Sequence, residues 1–448
     1  MKKPKMLFAC KLRRVAQLVM CCASWGVNAQ DLLALYDLAL QNNPQLKQAY
    51  ANQLAVSETT NISLANFLPS ISAVGQGMGN QLSNQRATYQ GSGFQQYIDN
   101  SFTVNLLQPV FHWEHWLQLS QAENQFVQAE AAYHAELQTV IVKVVEAYFN
   151  VLSAADNVAF YHIEQQAIAR QVEQAKQRFA LGFVEVTEVR EAQAAFDQVI
   201  ASATAAEALV ENQKEALIEI IGEQTLALMP LRPLIPLVKP HPDSIEEWSK
   251  ASEVSNFKII SAFNQVEVAR KTVDLQRNGH LPKLDVVASY GEFDTTSSFG
   301  LRGNTQNIGL KLSIPMYEGG AVNAKIRQAN HRLVETQEIL VAVKRAVNRQ
   351  VKEAYRGMTT SISQVLALTT AVKSSELALE ATQAGYEVGT RTLVDVLTEQ
   401  RNVYRAKRDL SRARYDYLVN GVKLKHAASS LTQLDVEQLN HLLQPADH

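Results

Sequence analysis

Residues 307–354 read NIGLKLSIPMYEGGAVNAKIRQANHRLVETQEILVAVKRAVNRQVKEA, and the hydrophobic period changes once inside them. Ile308, Leu310, Leu312 and Ile314 alternate with Asn307, Gly309, Lys311 and Ser313, the period of two that gives a strand one apolar face. Beyond Gly319 and Gly320, residues Ile326, Leu333, Leu340, Val347 and Ala354 keep strict seven-residue spacing, with Ala329, Thr336 and Val343 between them. That is coiled-coil packing. Val334 and Val341 repeat on a neighbouring face, so the helix has neighbours on both sides and fits the wall of a tube.

The same unit occurs earlier in the chain. Glu146-Ala147-Tyr148 matches Glu353-Ala354-Tyr355 at an offset of 207, which also maps Phe179 onto Tyr386, Gly182 onto Gly389, Glu188 onto Asp395 and Val189 onto Val396. Pro109-Val110-Phe111 matches Pro315-Met316-Tyr317 at 206, and Leu68-Pro69 matches Leu281-Pro282 at 213. Anchors in one order at so long a period indicate a duplicated domain rather than a solenoid. Pro230, Pro233, Pro236, Pro240 and Pro242 separate the copies, and a stretch so rich in proline is neither helix nor central strand. The expected organisation is a signal peptide over 1–29, a first repeat over 30–225, a Pro-rich linker over 226–243, a second repeat over 244–430 and a C-terminal equatorial segment over 431–448.

Each repeat predicts a short helix (32–41 and 245–252), a second helix (44–66 and 256–277) and two strands around a Gly/Ser/Asn-rich loop. A long helix (114–178 and 320–385) and a return helix (185–222 and 392–426) follow. Ser244 and Glu247 stand at capping-box spacing. Phe102, Val104 and Leu106 give one strand its apolar face, and Leu284, Val286, Ala288 and Tyr290 another. The strand after Pro69 is assigned by the repeat. At 1.5 Å per residue the first long helix runs ~97 Å, the return helix ~57 Å and residues 44–66 ~35 Å. The two shorter helices are therefore expected to stack end to end beside the long one.

The leader combines Lys2, Lys3, Lys5, Lys11, Arg13 and Arg14, the apolar run Val15–Val27 and the small residues Val27-Asn28-Ala29, the pattern of a cleaved secretory signal. It contains all three cysteines, Cys10, Cys21 and Cys22, so the mature chain is expected to have no disulfide or thiolate chemistry. Met20 before Cys21 argues against lipidation. Removing six positive and no negative charges takes the formal charge from −2 to −8, so the basic footprint of a nucleic-acid binder is missing. No later run reads as about 18 apolar residues, so a membrane crossing is expected to use strands. The alternative is a sandwich with one face on a core. Phe111, Trp113 and Trp116 after one strand and Tyr317 after its counterpart favour the membrane, because amphipathic rings collect at its interfaces.

Four strands cannot close a barrel, and an open edge in lipid leaves backbone groups unsatisfied at several kcal/mol each. Two copies would give eight strands around a filled interior, and three would give twelve around a channel. The fold class expected is a mixed α and β membrane protein, internally duplicated, with a trimeric 12-stranded barrel continued by a long helical coiled-coil barrel.

No catalytic constellation stands out, no phosphate loop ends in Gly-Lys-Ser/Thr, and no cofactor is expected. Gly75, Gly77 and Gly79 read as strand and loop. His112 and His115 could share a helical face, but with no third ligand apparent they read as packing rather than metal ligands. The informative sites are the two helix turns, 178–189 and 385–396. Gly182 and Gly389 supply the left-handed residue that ends a helix, and Thr187 or Thr392 can start the next. These turns form the far end of the tube, which makes them candidates for a gate and a docking tip.

Asn43-Pro44-Gln45-Leu46, Leu281-Pro282-Lys283-Leu284, Ser313 through Gly320, Ala147 through Leu152 and Val388 through Leu397 resemble the outer-membrane efflux protein family over nearly the whole mature chain. The resemblance implies a homotrimeric, passive duct in outer-membrane lipid, served by an inner-membrane pump and a periplasmic adaptor protein. The family exports drugs, dyes, bile salts and, in type I secretion, unfolded proteins. It also implies a periplasmic end held shut by polar links at Gln171, Thr187, Glu188, Tyr386 and Arg391, with Asp395 forming an acidic ring. Where the family carries a second Asp one turn later, Thr398 stands here, and Glu399 points about 100° away. Alternatives are a duct specialised for metal ions and a barrel-anchored coiled-coil adhesin or spacer. Duplication of the strand–helix unit disfavours the adhesin, and an enzyme is least expected.

Overall fold

The computed structural model describes residues 31–84, 93–224, 226–296 and 301–444. The expected signal peptide lies outside them. The order is α1 (Leu32–Asn42), α2 (Pro44–Ala65), β1 (Ser70–Asn84), β2 (Gly93–Phe111), α3 (Trp113–Ala180) and α4 (Val186–Ile221), then α5 (Ile245–Ser255), α6 (Phe257–Arg277), β3 (Lys283–Thr295), β4 (Arg302–Ser313), α7 (Ala321–Glu387) and α8 (Leu393–Ala427). A last short helix, α9, covers Gln433–Asn440.

Asn43 ends α1 and starts α2, where its side chain accepts from the Leu46 N–H at 3.0 Å and Pro44 takes the first turn. Asn256 does the same between α5 and α6, accepting from the Lys258 N–H at 3.0 Å. It also sets the end of α5, which runs three residues past the expected 252. Ser244 caps that helix by accepting from the Glu247 N–H.

The end-to-end stacking is visible as hydrogen bonds. Asn42 Nδ2, in the last residue of α1, donates to the Ile221 carbonyl at 2.9 Å, joining the end of α4 to the α1–α2 junction from which α2 continues. Asn256 Nδ2 donates to the Ala427 carbonyl at 3.0 Å, joining α8 to α6. Each bond uses a carbonyl that the last turn of a helix leaves without an internal partner. With 68 residues α3 is ~102 Å long, and α4 and α2 together, with 36 and 22, supply ~87 Å. The chain packs α3 between the α4/α2 column and the α8/α6 column, with α7 outermost.

All four strands form one antiparallel sheet in the order β1-β2-β3-β4. They have 15, 19, 13 and 12 residues, longer than the ten or so expected, because pairing continues into the Gly/Ser/Asn-rich runs. Gly75, Gly77 and Gly79 lie within β1, with no part in a loop. The register aligns Ile71, Leu106, Ala288 and Ile308 in one row across the sheet, and Ser72, Asn105, Ser289 and Asn307 in the next. Facing side chains in a row share a face, so one side of the sheet is apolar and the other polar. The apolar side is bare: Ile71 is 69% exposed, Ile308 84% and Leu310 72%. A sandwich would cover these residues, and nothing among the described residues does.

The main apolar core lies midway along the tube. Leu32, Leu35, Val140, Val144, Tyr148, Phe149, Leu217, Ile221, Tyr415 and Leu418 pack there, closed by Val436 of α9. The proline linker runs against α9, with Arg232 N–H bonded to the Leu442 carbonyl and Gln444 N–H to the Pro230 carbonyl, both at 3.0 Å. One expectation changes here. An 18-residue stretch of α3 has a mean hydropathy of 1.2, apolar enough by composition to cross a bilayer, but 61% of it is buried inside the protein. Its hydrophobicity serves this core. By contrast α7 has six buried residues against eighteen in α3. Val334 is 55% exposed and Val341 38%, so the described residues leave much of the second apolar face of α7 uncovered.

Candidate functional site

Both helix turns close the same way. Gly182 has φ +78° and Gly389 φ +79°, the left-handed region in which any side chain is strained. The Phe183 N–H bonds the Arg178 carbonyl at 2.9 Å, and the Thr390 N–H bonds the Gly385 carbonyl at 2.8 Å. These are the six-residue closures of a Schellman end, and they sit at the 207-residue offset of the repeat. The first turn presents Leu181 and Phe183 to solvent, the second Val388.

The two helix starts then diverge. Thr392 caps α8 in a reciprocal box: its Oγ1 accepts from the Asp395 N–H at 3.2 Å, and Asp395 Oδ2 accepts from the Thr392 N–H at 2.9 Å. The Thr392 N–H, then its hydroxyl, then the charge of Arg391 hold the Asp395 carboxyl below its ordinary pKa. Thr187 does not cap α4. Its Oγ1 donates to Glu185 Oε2 at 3.3 Å.

Glu188, the counterpart of Asp395, is thereby free to reach across the duplication. It accepts a 3.2 Å hydrogen bond from Tyr386 Oη. The Arg178 guanidinium lies 4.8 Å from the centre of the Tyr386 ring. Burial and then the Glu188 charge raise the Tyr386 pKa, against the opposing pull of Arg178, so the phenol stays a donor. Of the five expected gate residues, the fold joins Tyr386 and Glu188. Among the described residues Gln171, half-buried on α3, and Arg391, exposed at the tip, have no side-chain hydrogen bond or ion pair.

A second clip was not legible in the sequence. Arg408 of α8 donates to Glu164 of α3 at 2.7 Å and lies over Tyr161, 4.2 Å from the ring centre. Glu164 is 1% exposed and Arg408 15%. Nearby, Asp156 accepts from Ser411 at 2.6 Å and Tyr415 at 2.8 Å. Arg408 stands 15 residues into α8, ~23 Å above the tip. The two hairpins are thus pinned at two levels. Removing one partner of a buried pair strands the other charge, so Arg408→Met is expected to destabilise the chain by about 3 kcal/mol. Glu164→Leu combined with Arg408→Met should recover most of the loss. Thermal unfolding in detergent checks this, and a double variant as unstable as the single one contradicts it.

At the other end of the tube the strands run straight into helices. Phe111, Trp113, Trp116 and Tyr317 are 47%, 48%, 59% and 85% exposed around this junction, and Phe67 packs edge-on to Trp116 at 4.9 Å. The fold also corrects the premise that the His112–His115 pair lacks a third ligand. Glu114 joins them, with one ligand atom from each residue lying within 4.8 Å of the others. Burial opposes a charge on Glu114, but hydrogen bonds from Lys283 and His112 outweigh it and hold its pKa below the ordinary value.

The geometry has close counterparts. The family model described as "Outer membrane efflux protein" matches residues 35–223 and 248–429. The chain is 34% identical over 428 residues to "Outer membrane protein TolC" of Vibrio cholerae, covering 94% of this chain and 96% of that protein. It is 28% identical to the "Alkaline protease secretion protein AprF" of Pseudomonas aeruginosa, covering 91% and 86%. The crystal structure of the Campylobacter jejuni CmeC outer membrane channel superposes with a TM-score of 0.77 at 18% identity, covering 92% of this chain and 90% of that one. The chain belongs to the outer membrane efflux protein family, whose members are transport channels. It is an outer-membrane exit duct whose helical tube stands in the periplasm.

Proposed function

We propose that three copies of this chain close a twelve-stranded barrel and a continuous helical tube. The assembly would act as a passive duct for tripartite drug efflux and type I protein secretion. An inner-membrane pump supplies the energy, and a periplasmic adaptor engages the tips at Gly182 and Gly389. The observation that carries this reading is the open sheet: among the described residues β1 and β4 are unpaired on their outer sides, and the sheet has a bare apolar face and a polar one. Edges of this kind are tolerated in lipid only when other copies pair with them. The exposed face of α7 and the α4/α2 column then meet between neighbours. Phe111, Trp113, Trp116 and Tyr317 anchor the barrel at the periplasmic interface of the membrane. Relatives named for a secreted protease and for efflux support both classes of cargo.

Mass measurement of the purified protein in detergent should give a trimer, and planar bilayers should show single channels. A dominant monomer or dimer overturns the closure. A trimer that never conducts favours a spacer over a duct.

A further inference from the structure

We propose that His112, Glu114 and His115 form a site for a transition-metal ion of the zinc class, one per chain, where the barrel joins the tube. The residues come from the end of β2 and the first turn of α3, and Asp285 and Lys283 of the adjoining β3 complete the surroundings. Imidazole nitrogens with one carboxylate are a usual zinc donor set.

The first support is the orientation of His112. Its Nε2 lies 2.8 Å from Asp285 Oδ1, and Asp285 is 8% exposed. Nε2–H donating to a buried carboxylate is the arrangement that fixes the tautomer of metal-bound histidines and leaves the other nitrogen as ligand. That other nitrogen, Nδ1, faces Glu114 Oε1 at 3.4 Å. With the ring proton on Nε2, these two atoms both offer lone pairs to a shared cation; with the ring protonated on both nitrogens, Nδ1–H donates to Glu114 instead. Bonds of 2.0–2.1 Å in a tetrahedral zinc site put neighbouring ligand atoms about 3.3 Å apart, close to the observed spacing. His115 stacks on His112 with ring centres 4.8 Å apart, so a rotation of its side chain brings in the third donor.

The second support is independent. Asn278, 4% exposed, donates from Nδ2 to Glu114 Oε2 at 3.1 Å, while its buried Oδ1 has no hydrogen-bond partner. A buried amide that gives its N–H to Glu114 and leaves its own oxygen unpaired is accounted for by an ion or a bound water at this cluster. A cation already competes for the site: Lys283 Nζ lies 2.7 Å from Glu114 Oε1 and 2.6 Å from Oε2. A divalent ion displaces that ammonium, and the positive end of α3 also weighs against it. Binding is therefore saturable but moderate. A bound ion ties the end of β2 to the first turn of α3, bracing the joint at which the tube hangs from the membrane.

The test uses the full, tag-free protein in detergent, with Zn2+ as the probe in dialysis and titration calorimetry. Co2+ serves as a visible reporter of tetrahedral nitrogen and oxygen ligands. One ion per chain is expected. His115→Gln should lower affinity at least tenfold, and Asp285→Asn by about 10–100-fold. Lys283→Gln should raise affinity about tenfold, a gain that no merely structural role or folding defect produces. Binding that survives His115→Gln unchanged identifies an adventitious ion and overturns the site. So does the absence of saturable binding in the wild type, or a Lys283→Gln variant that binds no tighter.

Discussion

Single-channel conductance is expected to rise several-fold when Tyr386 is replaced by Phe and Arg391 by Ser in the same chain. Tyr386→Phe removes the hydroxyl that bonds Glu188, while the ring stays in the apolar cluster that includes Val189 and Leu393. A hydrogen bond to a charged group contributes about 1.5–3 kcal/mol, less at this half-exposed position. Three copies act together in a trimer, so a small loss per chain becomes a large shift in the closed–open balance. Arg391 lies at the tip with no side-chain hydrogen bond or ion pair among the described residues, and we propose that it reaches the neighbouring subunit, with Gln171 or Thr187 as acceptor. Tyr386→Phe alone should therefore open the duct less than the pair. Trimer yield should stay normal, because neither residue belongs to the main core. Wild-type conductance in the double variant would sink the gate assignment. A single variant equal to the double would remove Arg391 from it.

Asp395→Asn should abolish block by trivalent cations added from the periplasmic side. We propose that in a trimer the three carboxylates converge on the axis at the tube's end. Oδ2 of each is held by the cap of its own helix, and Oδ1 takes no part in that cap. Asn retains a carbonyl oxygen for that cap, so folding should be little changed. Like charges in a ring raise one another's pKa, whereas the Thr392 N–H and hydroxyl and the Arg391 charge lower it. The carboxylates therefore stay ionised at neutral pH, and block should fade only as pH falls into the ordinary carboxylate range. Thr398 spends its hydroxyl on the Val394 carbonyl at 2.7 Å and adds no charge. Block should accordingly be weaker than in a relative with two acidic rings, and Thr398→Asp should strengthen it. If Asp395→Asn channels are blocked as well as wild type, Asp395 is only a helix cap, and Glu399 becomes the residue to examine.

Sequence alone determined the periodic and the repeated. The seven-residue spacing from Ile326 to Ala354, the alternation from Asn307 to Ile314, and the glycines that end α3 and α7 depend on local geometry, which neighbouring residues encode. The offset near 207 then carried each reading to the other half, including β1, whose own pattern is weak. Tertiary structure alone decided what meets across large separations. Arg408 finds Glu164 over 244 residues, Tyr386 finds Glu188 over 198, and His112 finds Asp285 over 173. No local pattern marks such partners, because a charged or aromatic residue on a long helix reads as solvated until the packing of the columns covers it. The same holds for Asp395 and Glu188. The repeat makes them equivalent, and their surroundings set one to cap its own helix and the other to bridge the two hairpins. That difference follows from one methylene of reach and from Tyr386 standing across the gap, a placement that only the packed helices supply.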